Sequence, residues 1–419
     1  MFYGYIVAIG CFIVMFASGA LSTTGVFLPA LVEKLAVPIE DLGIMATFNL
    51  VVYFIAANFT GKIIDKFGSK FCLALGGLCL AGNFFIIGHA NSIWGVYLGS
   101  AVGGVANAAI VPAISLILTR WFVKKRNSVI STVFAAAGLG GSAFIALVGQ
   151  LLSRYSTESA IGKILVVILL VMTIPVAILL IADDPSKKGL KPFGADESTE
   201  TVEKVAKQGV DDYGVDAKTA RKSISFYLLI VGLALSGMSV LTFWTYGADF
   251  WQTTGMDALA SANYLSVGAL MGSAGVFLAG RLAEKFGGRF YVVYTLLAYI
   301  IGMVLLLVGG GGTASFGINV AILVLMGLSY PLLNTTPSIT TMAAYGRKGY
   351  SSLIGNFQSG LAFGQAFTSF VVLAAMKVSD GYNLTFSLMI VLAVVAMVLM
   401  LMGLKLSPLN NNQTVSNRK

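Results

Sequence analysis

The chain has 419 residues, of which 57% are hydrophobic and only 11% are charged, so it cannot be a water-soluble protein that hides its apolar surface in a core. Its net charge of +9 comes from basic residues spread over many short connectors, not from the clustered face that nucleic-acid binding needs. Uncharged stretches of about 20 residues recur along the chain, and each can cross a membrane as a helix. The sequence therefore predicts an all-α polytopic membrane protein.

Twelve uncharged stretches predict twelve transmembrane helices. They lie near residues 4–31, 41–60, 71–90, 93–118, 128–152, 161–182, 224–248, 257–280, 290–309, 315–336, 351–376 and 382–404. A polar segment divides them into an N-terminal six-helix bundle, residues 1–182, and a C-terminal six-helix bundle, residues 224–404. Pro112 and Pro331 predict bends in spans four and ten, and a glycine cluster that includes Gly140 predicts one in span five.

Residues 183–223 differ from the spans in composition. They include nine acidic and eight basic residues, two prolines and few apolar side chains. Such a segment cannot bury enough surface to fold alone, so it predicts a cytoplasmic linker, and a tether is favoured over a regulatory element. Residues 405–419 are predicted to form a polar cytoplasmic tail.

The distribution of basic residues predicts the orientation. Twelve Lys and Arg residues lie in the connectors on one side of the membrane, and four lie in those on the other side. Because short cytoplasmic loops carry the excess of positive charge, the side with twelve is predicted to be cytoplasmic. An even number of spans puts both termini on that side. The expected location is the plasma (inner) membrane.

A charged loop between spans two and three returns between spans eight and nine. Gly61 to Phe71 reappears 219 positions later as Gly280 to Phe290, with two glycines, one acidic position and three basic positions in register. The same offset separates Pro112 from Pro331. Two coincidences at one offset predict a parallel internal repeat, in which the chain consists of two copies of one unit.

The first loop, read from Gly61 to Lys70 as Gly-x-x-x-Asp-Lys-x-Gly-x-Lys, resembles the loop signature of the major facilitator superfamily. A narrower match follows span four, where the stretch from Arg120 to Arg126 (Arg-Trp-Phe-Val-Lys-Lys-Arg) is similar to that of the oxalate/formate antiporter and monocarboxylate transporter branch. The resemblance covers essentially the whole chain. It implies two six-helix bundles that move a solute by alternating access.

The resemblance also implies that the charged loops are conformational latches. Gly61 and Gly68 permit close helix approach and a tight turn, and Asp65 can accept hydrogen bonds at the N-terminus of a neighbouring helix. The alternative is that these charges only set the topology. The implied latch residues are Gly61, Asp65, Lys66, Gly68, Lys70, Gly280, Glu284, Lys285, Gly287 and Arg289. The cytoplasmic basic connector after span four contributes Arg120, Lys124 and Arg126.

The resemblance places the substrate site near the midplane of the membrane, in spans 1, 4, 7 and 10 and the spans beside them. No ionisable residue lies deep in these spans, and Asp249 and Asp257 only flank their outer ends. The remaining polar and aromatic residues predict a site for a small organic solute. The candidates are Asn49, Tyr53, Asn107, Ser115, Trp244, Tyr330, Asn334, Asn356 and Gln358. The alternative is that they hydrogen-bond between helices, or that Trp244 lies at the membrane interface.

Two cations that the oxalate branch implies are missing. The arginine that the branch carries in span eight would fall at Val276, and the lysine of the oxalate antiporter in span eleven would fall near Phe357. A dicarboxylate is therefore disfavoured as the substrate. The missing cations favour a neutral or amphipathic solute, and such a solute could be exported.

These features predict a secondary transporter of a small organic solute, and the branch match favours a monocarboxylate or a related metabolite. The alternatives are an exporter of neutral or amphipathic compounds and a membrane sensor that does not transport. We expect no enzyme activity, catalytic residue, cofactor or metal site, because His89 is the only histidine and no paired carboxylates lie in the spans. The expected partners are the solute, the lipid bilayer and a coupling proton or an exchanged solute, without nucleic acid, and the expected state is a monomer.

Overall fold

The computed structural model describes residues 2–37, 39–154, 158–194, 214–310, 316–379 and 381–409. Within these ranges the secondary structure is helical, and extended pairing is limited to two isolated bridges. The predicted all-α fold is confirmed. Most of the predicted linker, residues 195–213, and most of the predicted tail, residues 410–419, lie outside the described residues.

The chain divides into two compact units. The first comprises residues 1–210 and 351–359, and the second comprises residues 211–350 and 360–419. Each unit contains one of the two charged loops, as the internal repeat predicts. The exact domain boundaries proposed from the sequence stay a prediction.

The first unit is built from apolar helices, as lipid requires of spanning segments. They are α1 (Tyr3–Ser18), a 3₁₀ segment (Gly19–Phe27), α2 (Leu28–Leu35), α3 (Ile39–Phe67), α4 (Ser69–Gly88), α5 (Ile93–Trp121), α6 (Arg126–Arg154) and α7 (Glu158–Leu179). The first span thus combines two α-helices with a 3₁₀ segment, whereas α5 continues as one helix through Pro112.

The second unit has the same construction. Its helices are α8 (Ala217–Lys222), α9 (Ile224–Thr253), α10 (Ala258–Gly309), α11 (Phe316–Ser329), a 3₁₀ segment (Tyr330–Leu333), α12 (Thr336–Tyr345), α13 (Tyr350–Val378) and α14 (Asn383–Lys405). The first turns of α13 belong to the first unit and the remainder belongs to the second.

Eleven helices within the described ranges are long and apolar enough to cross a membrane. One of them, α10, has 52 residues and leaves helical geometry at Gly287, where φ is 84°. It therefore holds two spans, which agrees with the predicted twelve. Gly68 joins α3 to α4 with a φ of 85°. The two copies of the charged loop thus share a backbone conformation that favours glycine.

Glycines allow helices to cross at short distance in both units. A Cβ atom at Gly140 of α6 would collide with the carbonyl oxygen of Phe16, and one at Gly364 of α13 would collide with that of Ala234. In a lipid bilayer the hydrophobic effect does not drive helices together. Close van der Waals packing is therefore a main source of attraction between them. Because α6 is unbroken at Gly140, this glycine serves the crossing and does not interrupt the helix.

Both described ends of the linker pair with a connector of their own unit. The N–H of Phe193 donates to the carbonyl oxygen of Trp121 at 2.9 Å, at the end of α5. The N–H of Val215 donates to the carbonyl oxygen of Tyr345 at 2.9 Å, at the end of α12. The segment that was predicted as a tether is therefore attached at each end by backbone hydrogen bonds.

The glycine crossing in the second unit gives a stability prediction. Gly364→Ala should force α9 and α13 apart and lower the free energy of unfolding by about 1–3 kcal/mol, because the added Cβ meets a backbone oxygen that cannot rotate away. The midpoint of thermal unfolding in detergent measures this. Gly82→Ala is the matched control, since its Cβ would lie 3.6 Å from Val102. Equal midpoints for the two variants would contradict the crossing argument.

Candidate functional site

Span ten is interrupted in the middle of the second unit. Helix α11 ends at Ser329, and α12 begins only at Thr336 after a single 3₁₀ turn. Asn334 has φ −148° and ψ −43°, outside helical geometry. Pro331 and Pro337 lack the N–H that a continuous helix would use at these positions. The break removes intrahelical hydrogen bonds of the backbone in span ten, one of the spans in which the substrate site was predicted.

Buried hydroxyl groups hold the interruption in place. The hydroxyl of Tyr291, in α10, hydrogen-bonds to the hydroxyls of Thr335 at 3.2 Å and Thr336 at 2.8 Å. Both threonine hydroxyls donate to the carbonyl oxygen of Pro331 at 3.0 Å. Tyr291, Thr335 and Thr336 have no exposed surface. The freed backbone is thus satisfied by side chains, as a nonhelical segment within a membrane protein requires.

Two aromatic rings form a wall beside this break. The rings of Trp244, in α9, and Tyr330 meet edge to face, with centroids 4.9 Å apart and an interplanar angle of 88°. Glycines of α10 lie against both rings: a Cβ at Gly272 would stand 2.8 Å from the Tyr330 ring, and one at Gly268 would stand 3.3 Å from the indole of Trp244. Any larger residue at either glycine would displace a ring.

The polar groups near this wall are uncharged. The indole Nε1–H of Trp244 is buried and has no hydrogen-bond acceptor within the described part of the chain. The side-chain amide of Gln365 donates to the carbonyl oxygen of Leu333 at 3.1 Å, and Asn334 is half-buried beside it. The arrangement can hold a planar group against aromatic faces and donate a hydrogen bond to an oxygen atom.

The positions of the two missing cations are apolar in the structure as well. Val276 is 1% exposed and Phe357 is completely buried. Neither position therefore leaves room near it for a solvated charge. The sequence alone shows that Val276 and Phe357 carry no charge that could pair with a substrate. Their burial agrees with this.

Three candidate residues meet in a contact within the first unit, where α3 packs against the first turns of α13. Tyr53 donates its hydroxyl hydrogen to Oε1 of Gln358 at 2.9 Å. Asn58 accepts from Nδ2 of Asn356 at 2.9 Å, and the hydroxyl of Ser359 donates to the carbonyl oxygen of Phe54 at 2.8 Å. The structure therefore uses Tyr53, Asn356 and Gln358 as links between helices.

The other candidates of the first unit have local partners or only partial burial. Nδ2 of Asn49 donates to the carbonyl oxygen of Ser100 at 3.0 Å. The hydroxyl of Ser115 donates to the carbonyl oxygen of Val111, one turn earlier in α5, at 3.0 Å. Asn107 is half-buried on α5. Trp244, Tyr330 and Asn334 are thus the candidates that the structure brings together at the break.

The first charged loop lies against α13 and α7 within the first unit. A Cβ at Gly61 would stand 2.5 Å from the carbonyl oxygen of Ser351, and Asp65 accepts a long hydrogen bond of 3.4 Å from the hydroxyl of Ser352. The carboxylate at the N-terminus of α4 is that of Asp183, which accepts from the N–H of Lys70 at 2.9 Å. Sequence reasoning assigned Asp183 to the linker and missed this role.

Several of the remaining charged candidates contact residues next to them in the sequence. Lys66 lies over Phe67 at 5.0 Å, and Lys285 lies over Phe286 at 5.1 Å. Glu284 and Arg289 are exposed, and Gly280 is buried. In the basic connector, Arg120 is half-buried, the N–H of Lys124 donates to Phe193, and Arg126 donates to Asn127 at 2.9 Å.

The two peripheral acids have different roles at the opposite end of the second unit. Asp257 caps the N-terminus of α10 by accepting from the N–H of Ala260 at 3.1 Å. Asp249 accepts a short hydrogen bond from the hydroxyl of Tyr382.

Comparisons with known proteins agree on the family. Residues 9–369 match the family described as Major Facilitator Superfamily. A protein of Escherichia coli (strain K12) named "Uncharacterized MFS-type transporter YhjX" is 25% identical over 305 residues, which cover 72% of each chain. The "4-hydroxybenzoate transporter PcaK" of Pseudomonas putida is 23% identical over 410 residues, which cover 90% of each chain. The "Multidrug resistance protein MdtG" of Proteus mirabilis is 31% identical, but only over 35% of this chain and 36% of its own.

Solved structures show the same fold at low sequence identity. The proton:xylose symporter XylE has a TM-score of 0.76 and 12% identity, and the match covers 98% of this chain and 99% of XylE. The fucose:proton symporter FucP of E. coli has a TM-score of 0.68 and 14% identity, with 96% and 99% covered. At such identities the similarity concerns the fold alone.

The contact between α3 and α13 gives a second stability prediction. Tyr53→Phe removes a buried donor to Gln358, and we expect it to lower the free energy of unfolding by about 1–3 kcal/mol. The midpoint of thermal unfolding reports the loss. Tyr227→Phe is the control, because Tyr227 is 60% exposed. If both variants unfold at the wild-type temperature, the hydrogen bond does not stabilise the contact.

Proposed function

Because the chain belongs to the Major Facilitator Superfamily, we propose that this transporter moves a small organic monocarboxylate that carries a planar ring. The substrate site in this proposal is the interruption of span ten, with Trp244, Tyr330 and Asn334 in contact with the solute. The observation that carries it is the indole Nε1–H of Trp244, a buried donor without an acceptor in the described part of the chain. A substrate oxygen would satisfy it.

The ring in the proposed substrate follows from the shape of the wall. Trp244 and Tyr330 present an edge-to-face pair, and Gly268 and Gly272 let α10 pack directly against the two rings. Aromatic side chains favour planar partners through offset or edge-to-face contacts, beyond the area they bury. A linear solute such as acetate would leave most of this wall uncovered.

The single carboxylate follows from the neutral polar groups. A carboxylate can be bound by N–H donors without a countercharge, and hydrogen bonds to charged groups contribute about 1.5–3 kcal/mol each. A second carboxylate would need a cation, and Val276 and Phe357 offer none. The relative from Pseudomonas putida supports this choice, because its name gives 4-hydroxybenzoate as its substrate.

Transport in proteoliposomes tests the substrate class. We expect saturable uptake and counterflow of benzoate and 4-hydroxybenzoate, weaker flux of acetate and no flux of succinate or xylose, each measured with and without a pH gradient. Trp244→Phe keeps an aromatic ring and removes the N–H, so the KM for benzoate should rise about tenfold, the equivalent of roughly 1.4 kcal/mol. Accumulation driven by the pH gradient would indicate proton symport, whereas counterflow alone would indicate exchange or uniport.

The control for this variant is Trp251→Phe. Trp251 lies two turns further along α9, is completely buried and also has an unpartnered Nε1–H, but its ring packs on Phe243 and Tyr264. Its KM should stay at the wild-type value. Saturable succinate flux would overturn the argument from the missing cations. Flux of uncharged amphipathic compounds alone would favour an exporter, and binding without flux would favour a sensor.

We further propose that the contact between α3 and the first turns of α13 is a conformational latch, on the side predicted to be cytoplasmic. The close approach at Gly61, the Tyr53–Gln358 hydrogen bond and the position of Asp65 beside the first turn of α13 support it. The positive end of the α13 dipole stabilises the negative charge of Asp65 at this place. Such a contact has to form and break during each transport cycle.

The charge of Asp65 tests the latch. Asp65→Asn keeps the shape and removes the charge, so we expect the transport rate to fall severalfold while the Kd for benzoate stays within twofold of the wild type. Asp184→Asn is the control, because the hydrogen bonds described for Asp184 come from the N–H and hydroxyl of Ser186 in the adjoining 3₁₀ turn. An unchanged rate for Asp65→Asn would leave this carboxylate with a topological role alone.

A further inference from the structure

A side chain of α13 supplies a hydrogen bond that span ten cannot make within itself. In a continuous α-helix, the carbonyl oxygen of Leu333 would accept from the N–H four residues later. That residue is Pro337, which has no N–H. The side-chain Nε2 of Gln365 donates to this carbonyl oxygen at 3.1 Å instead. An unsatisfied carbonyl group is costly within a bilayer, so Gln365 supplies the donor that Pro337 lacks.

Packing limits where the amide of Gln365 can lie. The side chain is 8% exposed, and its Cγ lies 3.4 Å from the Cβ position of Gly237 in α9. Gly237 precedes Trp244 by seven residues, which places the two on the same face of α9. Gln365 therefore lies against the helix that carries Trp244, while its amide holds the end of the 3₁₀ turn that begins with Tyr330.

We propose that Gln365 is a positioning residue of the solute site, an inference that rests on the function proposed above. Its hydrogen bond to Leu333 fixes the end of the 3₁₀ turn, and Asn334 follows directly. At the start of the same turn, the ring of Tyr330 meets the indole of Trp244 edge to face. Gln365 thus sets the positions of these side chains and acts on the solute through them.

The interruption of span ten does not depend on Gln365 alone. The hydroxyls of Thr335 and Thr336 donate to the carbonyl oxygen of Pro331 at 3.0 Å. These hydrogen bonds remain when the amide of Gln365 is removed. We therefore expect the interruption to persist in such a variant, while the end of the 3₁₀ turn loses its support.

Transport kinetics give the first test. Gln365→Met keeps the length of the side chain and removes its amide. We expect the KM for benzoate in proteoliposomes to rise about fivefold, the size of one neutral hydrogen bond, and the maximal rate to stay within about twofold of the wild type. Thr368→Val is the matched control, because Thr368 is buried on the same helix and its hydroxyl donates to Gly364, one turn earlier, at 3.3 Å. If both variants unfold at lower temperature and keep the wild-type KM, the role of Gln365 is purely structural and the proposal is overturned.

The indole resonance of Trp244 in the solute-free protein tests the positioning without any substrate. The ring centroids of Tyr330 and Trp244 are 4.9 Å apart, so a displaced Tyr330 ring changes the chemical shift of the indole proton. We expect this resonance to move in Gln365→Met and in the shorter variant Gln365→Leu, which also lacks the donor, and to stay in place in Thr368→Val. The same effect from two apolar side chains of different shape would assign it to the lost hydrogen bond.

The two readouts separate the role of Gln365 from the identity of the substrate. An unmoved Trp244 resonance in a folded Gln365 variant would overturn the positioning role, whatever the substrate is. A moved resonance, with no benzoate flux in the wild type, would support the positioning role and overturn the proposed substrate.

Discussion

Backbone hydrogen bonding in lipid is the constraint on which the rest of the structure depends. A spanning segment has no water to satisfy its N–H and C=O groups, so it must be helical unless protein groups replace the missing bonds. Span ten departs from this rule between Ser329 and Thr336. Tyr291, Thr335 and Thr336 supply hydroxyl groups around the carbonyl oxygen of Pro331, and these groups are completely buried. The interruption is thus built into the packing of the second unit.

The interruption and the close helix crossings support each other. At Gly272 and Gly268 the backbone of α10 lies directly against the rings of Tyr330 and Trp244. One side of the aromatic wall is therefore packed against a rigid helix backbone. The hydroxyl of Tyr291, from the later part of the same helix, secures the other end of the break. In the proposed site, rigid support of this kind would let a few uncharged groups orient a solute, because the side chains would lose little conformational entropy on binding. The polar residues of α3 and the first turns of α13 are instead used in contacts between helices.

Much of the fold could be predicted from the sequence because its signals are long or repeated. Apolar stretches identify the spans, and a charged loop that returns after 219 residues identifies the repeat. The residues of the proposed site were harder to select. Trp244, Tyr330 and Asn334 were candidates only because of their residue type and their span. Tyr53 and Gln358 were candidates on the same grounds, but the structure shows them hydrogen-bonded to each other, 305 residues apart in the sequence. The role of Asp183 was missed because its partner, Lys70, is 113 residues away. Pro331 and Pro337, so close together in one span, could have indicated an interruption and not a bend.

The central claim is that the indole N–H of Trp244 binds the substrate, and its own resonance tests this most directly. The chain has four tryptophans, so a spectrum of the ¹⁵N-labelled indole groups is simple, and Trp244→Phe assigns the relevant signal. On titration with 4-hydroxybenzoate, we expect the Trp244 indole proton to shift downfield and saturate, as an N–H does when it gains an oxygen acceptor, while the exposed Trp94 stays unchanged. Saturable binding of 4-hydroxybenzoate that leaves the Trp244 resonance in place would contradict the account.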